Sequence, residues 1–208
     1  IMSLVTNQYY LSQINSKLDK ISQSIEAILG FLYGDKKAEL LAEISFTKYA
    51  YQNYISICEH DEQRLATIGS LQQSKKIAMK DIEFYMNDLD TLIGARDGTK
   101  INTLMENAFG IEESLNLSIQ LYVMSSLLEV YYSRNLDKDY ISNLESEMSV
   151  YIAKCDKQML GSFSVLEAYV QAYKAKPMVK FDKEHWQERL GLGVESLKGG
   201  GEAKIKKH

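Results

Sequence analysis

Residues 11–32 read LSQINSKLDKISQSIEAILGFL, and the spacing of their apolar side chains decides the fold class. Leu11, Ile14, Leu18, Ile21, Ile25, Ile28 and Leu32 alternate steps of three and four. That is the heptad rhythm of a helix with apolar a and d positions. Between them lie Ser12, Gln13, Asn15, Lys17, Asp19, Lys20, Gln23 and Glu26, so the seam is narrow and the back of the helix is wet. An isolated helix of this length is marginal in water. The seam therefore calls for a partner helix, from this chain or from a second copy.

The same rhythm continues downstream with breaks. Gly34-Asp35 offers a helix C-cap followed by an N-cap, and the apolar phase shifts there. The next series is Leu40, Ile44, Thr47, Tyr51, Tyr54/Ile55 and Cys58. Glu59-His60-Asp61-Glu62 has no large apolar residue and marks a bend, after which Leu65, Ile68, Leu71, Ile77/Ala78, Ile82, Tyr85, Leu89 and Leu92 resume. Taken straight, the region from Lys36 to Ile93 would be roughly 85 Å long at about 1.5 Å per residue. Gly94-Ala95-Arg96-Asp97-Gly98 is a loop. A third helix is expected from Ile101 to Asn135, with Ile101, Leu104/Met105, Ala108, Ile111, Leu115, Ile119, Tyr122, Leu127/Leu128 and Tyr131 in register. It is the most apolar helix and hence the expected centre of the bundle.

Asn135-Leu136-Asp137 reads as a turn with Asp137 as the next N-cap. The fourth helix runs to Lys174 on the stripe Ile141, Leu144, Met148, Tyr151/Ile152, Cys155, Met159, Phe163, Leu166, Val170 and Tyr173. Short connections make the last helices antiparallel neighbours. Beyond Pro177, Asp182 can cap one or two turns carrying Trp186 and Leu190. Glycines at 191, 193, 199, 200 and 201 are then expected to end ordered helix. The fold expected is all-α: an elongated bundle of long antiparallel helices. The expected organisation is an N-terminal coiled-coil helix (1–34), a helical bundle (35–176) and a short helix with a flexible tail (177–208).

Composition agrees. The chain has 208 residues, 45% hydrophobic and 25% charged, ordinary values for a single globular core. Its one proline, Pro177, leaves everything before it permissive for long helices. The net charge is −4 and the basic residues are interleaved with acids, outside the tail Lys204, Lys206 and Lys207. That balance argues against nucleic acid, which needs a basic footprint. The two cysteines, Cys58 and Cys155, do not make a disulfide framework and read as core side chains in a reducing, cytoplasmic setting, with a bridge between them across two helices as the alternative. No run of about 18 apolar residues is present. The nearest, Leu115 to Tyr132, contains Asn116, Ser118, Gln120, Ser125, Ser126 and Glu129, and reads as a helix buried by other helices.

Enzyme chemistry finds no foothold in the motifs. Gly94 to Lys100 has its glycines too close and no strand before it, so it is an interhelical turn and not a phosphate cradle. No Glu-x-x-His is present for a di-iron bundle. Cys58 and His60 are two residues apart and point to different faces of a regular helix, and Asp182-x-x-His185 reads as a helix start. No cofactor or metal is expected. Asp81, Glu83, Asp88 and Asp90 read as a solvated acidic face, with a docking strip as the alternative. The 14 tyrosines concentrate at Tyr9-Tyr10, at Tyr49/Tyr51/Tyr54 and at Tyr131-Tyr132. Tyrosine suits interfaces because its body is apolar and its tip polar. Tyr51 and Tyr54 share a helical face, and Tyr49 lies off it.

The opening Ser12-Gln-Ile14-Asn-Ser-Lys17-Leu18-Asp19-Lys-Ile21 resembles a group of helical proteins from Gram-positive bacteria that share an Ile-Asn-x-Lys-Leu-Asp-x-Ile heptad opening. The resemblance covers the first helix and brings no activity or functional residue with it. It implies an apolar segment ahead of that helix, of which Ile1 to Val5 would be the remnant. The expectation is a non-enzymatic scaffold or interaction protein that self-associates or binds another helical protein. Its working residues are Leu11, Ile14, Leu18, Ile21, Ile25, Ile28, Leu32, Tyr51 and Tyr54. The alternative is a membrane-associated helical protein, pore-forming or membrane-remodelling, using a segment upstream of Ile1.

Overall fold

The computed structural model describes residue 16 and residues 37–174 and 180–198. Those residues form an all-α bundle with no strand among them. In order they are α1 (Lys37–Gln52), α2 (Tyr54–Cys58), α3 (Asp61–Gly94), a single 3₁₀ turn (Arg96–Gly98), α4 (Ile101–Ser133), α5 (Lys138–Ala172) and α6 (Lys183–Lys198). The heptad residues Leu11 to Leu32 lie outside the described residues, as do Gly34-Asp35 and the tail from Gly199.

The chain divides into two compact units. One takes the described residues up to Glu83 together with Glu113–Met148. The other takes Phe84–Glu112 and the described residues from Ser149 onward.

In the first unit α4 is buried on most of its circumference. Leu115, Leu117, Leu121, Tyr122, Met124, Leu127, Leu128, Val130 and Tyr132 are all buried. The apolar helix expected at the centre is therefore found there, including the run expected to be covered by other helices. Two of its buried serines are satisfied by their own helix. The Ser118 hydroxyl donates to the Ser114 carbonyl (2.9 Å) and that of Ser126 to the Tyr122 carbonyl (2.8 Å). A hydroxyl satisfied by its own helix can be buried without the penalty of an unmade hydrogen bond. Also buried in this unit are Leu40, Ile44 and Ala50 of α1, Leu71, Ala78 and Ile82 of α3, and Ile141 and Met148 of α5. The pairs Arg64–Tyr132 and Gln72–Glu129 advance along α3 while retreating along α4, so the two are antiparallel.

Two members of the expected apolar series depart from it. Leu65 is 60% exposed and Ile55 is 77% exposed. The bend expected at 59–62 is real, with α2 ending at Cys58 and α3 starting at Asp61. A second break, at Asn53, was not expected. The Asn53 amide Nδ2 donates back to the Tyr49 carbonyl (2.9 Å), and its backbone takes φ −105°, ψ 17°. Asparagine competes in this way with the helix ladder.

Asp137 caps α5 as expected, accepting from the Tyr140 amide at 3.0 Å. Asp182 caps α6 in the same way through the His185 amide at 3.0 Å. In the second unit the α5 stripe holds: Cys155, Met159, Phe163, Leu166 and Val170 are buried. Here one expectation is corrected. Glycines 191 and 193 do not stop α6, which runs on to Lys198. Trp186, Leu190 and Val194 are buried at steps of four, and Gly193 sits over the Phe163 ring. The helix continues because that face is covered. Tertiary burial outweighs a penalty of about 1 kcal/mol per glycine.

Candidate functional site

The tyrosines singled out in the sequence meet others far away in the chain. Because α1 stops at Asn53, its last carbonyls lose their helical donors. The Ala50 carbonyl accepts instead from the Tyr132 hydroxyl of α4, at 2.6 Å and fully buried. Tyr54 then turns onto the end of α4. Its ring stacks on Tyr131 (centroids 3.8 Å apart, 27° between planes) and meets Tyr132 edge-on (5.1 Å, 70°). Its hydroxyl donates to the Tyr131 carbonyl at 3.3 Å. Each such ring pair contributes about 0.5–1.5 kcal/mol beyond its buried area.

Two arginines close the cluster by capping each other's neighbouring helix. Arg64 of α3 donates to the Tyr132 carbonyl (3.0 Å) at the C-terminus of α4, while also pairing with Asp61 (3.2 Å). Arg134, just past α4, donates to the Cys58 carbonyl (2.9 Å) at the C-terminus of α2. A cation at a helix C-terminus meets the negative end of the dipole and the orphan carbonyls together. Arg134 has φ 57°, the left-handed conformation that ends many helices but that costs a non-glycine residue roughly 1–2 kcal/mol. The bond to Cys58 offsets that strain.

Electrostatics follow the geometry. Burial pushes the Tyr54 phenol up to about 12, reinforced by the neighbouring Cys58 and Tyr131 side chains, with Arg134 pulling the other way. Burial also raises Tyr132 above the ordinary phenol range, reinforced by Cys58, Tyr54, Tyr49 and Tyr131. Both groups are held neutral by the fold. A phenol whose folded value lies above its unfolded value of about 10 contributes stability that is intact below about pH 10 and lost on rising through the folded value. The melting temperature is thus expected to be level from neutrality to about pH 9 and to fall as the pH rises from about 10 to 12. A fraction of the tyrosinate absorbance should appear only together with loss of the helical circular dichroism signal. Titration of every tyrosine near pH 10 with the helices intact would refute this.

The sequence-selected residues divide as follows. Tyr54 is in the cluster, half-buried. Tyr51 is half-buried on α1, and the break at Asn53 lies between the two. The sequence sets Tyr131 beside Tyr132 but carries no signal that joins them to Tyr54. Arg64 and Arg134 are absent from the sequence-selected residues, although an arginine beside a helix end is a readable capping signal. Both cysteines are free thiols, Cys155 buried and Cys58 half-buried. The acidic series does not make one strip: Asp81 is fully buried, whereas Glu83 and Asp90 are exposed. Among the described residues no group of three or more His, Cys, Asp or Glu could hold a metal ion. No helix among them is long and apolar enough to cross a membrane. No family model, curated protein or solved structure matches this chain.

Proposed function

We propose that the chain is a non-enzymatic helical interaction protein that acts by self-association and by binding other helical proteins. One observation carries this reading: large apolar side chains stand in water around the tyrosine–arginine cluster. Ile55 is 77% exposed beside Tyr54, Leu65 is 60% exposed beside Arg64, and Tyr49 is 56% exposed within electrostatic reach of Tyr132. Burying such a side chain against a partner contributes about 1.5–3 kcal/mol. Tyrosine and arginine are also the residue types in which binding energy concentrates. The heptad residues Leu11, Ile14, Leu18, Ile21, Ile25, Ile28 and Leu32 supply a second apolar seam in the sequence.

Light scattering on the full chain tests the reading. The expected mass is a multiple of 23.7 kDa. Ile21→Asp, and separately Ile55→Asp with Leu65→Asp, are expected to move it toward the monomer while leaving the circular dichroism spectrum unchanged. A monomeric wild type across the accessible concentration range would defeat the self-association reading. Flotation with vesicles separates it from a membrane-active role, for which co-flotation of the unmodified chain is the deciding result.

A further inference from the structure

In the second unit a groove runs along α5 that no described residue fills. Its two parts, of about 600 and 460 Å³, meet at Val165. The α5 residues facing it recur once per turn, from Lys154 through Gly161, Val165 and Ala168 to Tyr169. Fifteen steps of about 1.5 Å make a strip of about 22 Å, the length of four helical turns. The floor is small and apolar. Ile93 of α3 lies on one side, Val165 is 40% exposed, and a Cβ at Gly161 would meet nothing within 4 Å. A groove this open leaves most of a small molecule in water, which argues against one. An elongated partner can cover it.

Charge selects among elongated partners. Lys154 and Lys157 stand at one end of the groove and Arg96 at the other. Its single carboxylate, Asp90, is already engaged, accepting from the Gln158 amide (2.9 Å) and the Ser162 hydroxyl (3.3 Å). Three cations, of which Arg96 also donates to the Ile93 carbonyl (2.9 Å), against one anion leave the rim locally positive on a chain whose net charge is −4. Phosphate-rich ligands match the rim but not the apolar floor. We propose that this groove docks an amphipathic helix of a partner protein, with its apolar seam on Ile93, Gly161, Val165 and Ala168 and its acidic flank toward Lys154 and Lys157. Such a helix gains area from the floor and specificity from the rim. The chain's own residues 11–32 carry Lys17 and Lys20 against Asp19 and Glu26, a neutral balance that does not complement the rim.

The test is fluorescence anisotropy with the full chain and three labelled synthetic peptides. The first is a four-turn helix with a Leu/Ala seam and Glu flanks, the second has Lys in place of each Glu, and the third is residues 11–32. The acidic peptide is expected to bind at least about tenfold tighter than the basic one, and less tightly as salt is raised. Gly161→Leu, which fills the floor, and Lys154→Glu with Lys157→Glu are each expected to weaken it by at least about tenfold with the circular dichroism unchanged. Equal binding of the acidic and basic peptides, or undiminished binding to Gly161→Leu, would overturn the proposal. So would tighter binding of residues 11–32, which would give the groove to this chain's own heptad helix. None of these outcomes depends on whether Ile55 and Leu65 mediate self-association, so the two readings fail separately.

Discussion

Tyr132→Ala is expected to destabilise the first unit by about 3–5 kcal/mol, the range for deleting a buried aromatic side chain. Tyr132 is fully buried, holds the edge of Tyr54 and is the donor to the Ala50 carbonyl. Truncation removes all three roles. Tyr132→Phe isolates the last of them. It keeps the ring and the volume but leaves a buried carbonyl unmatched, at a cost of about 1–3 kcal/mol. The ordering wild type, Tyr132→Phe, Tyr132→Ala should appear in the urea midpoint followed by circular dichroism. A hydrogen-exchange measurement should place the loss at α1, whose end is anchored by that bond. If Tyr132→Phe were as stable as wild type, the break at Asn53 would not need Tyr132, and the cluster would be packing without a capping role.

That pair of variants probes the part of the molecule that sequence reading saw least well. The α5 stripe from Ile141 to Val170 is legible because its helix is amphipathic in the ordinary way, with one face inward. The caps Asp137 and Asp182 and the loop at Gly94–Gly98 were legible because their signals are local. Ile55 and Leu65 were misplaced because periodicity states which residues share a face, and cannot state whether another helix covers that face. The break at Asn53 was missed for a related reason: asparagine in a helix is a mild signal, and the apolar spacing carries on across it. The tyrosine–arginine cluster joins Tyr54 to residues 77 positions away, a juxtaposition made only by the antiparallel return of the chain. Its parts were visible as compositional concentrations, but their assembly was not.

The groove on α5 shows the same limit from the other side. Gly161, Val165 and Ala168 lie on a helix whose buried stripe, through Met159, Phe163, Leu166 and Val170, dominates any periodicity count. The weaker series beside it becomes meaningful only once Ile93 of α3 is seen to wall it. Exposed apolar side chains in a chain of ordinary composition are individually unremarkable. Their grouping, around the cluster and along the groove, is what gives them a functional reading.

Phe163→Ala is expected to have the other large effect, this time in the second unit, again about 3–5 kcal/mol. Phe163 is 1% exposed and meets Phe109 edge-on at 5.5 Å. Phe109 in turn stacks with Trp186 of α6 at 5.6 Å and lies 4.0 Å beneath the Arg189 guanidinium. Removing the ring takes away the floor on which Gly193 rests and the wall against which Phe109 is held. The glycine-bearing helix α6 is the element least supported by its own propensity, so it should loosen first. Trp186 is the only tryptophan, which makes its fluorescence a direct reporter: the emission should shift to longer wavelength as the indole becomes wet. Two controls bound the effect. Arg189→Ala removes the cation over Phe109 and Trp186 but keeps every ring, and is expected to cost less than Phe163→Ala. Gly193→Ala places a Cβ 3.7 Å from Phe163, an ordinary contact, and should be neutral or stabilising by up to about 1 kcal/mol because alanine is the better helix former. Unchanged tryptophan emission in Phe163→Ala would mean that α6 is held by something other than this aromatic cluster. A large loss in Gly193→Ala would mean that α6 lies closer to Phe163 than ordinary contact allows.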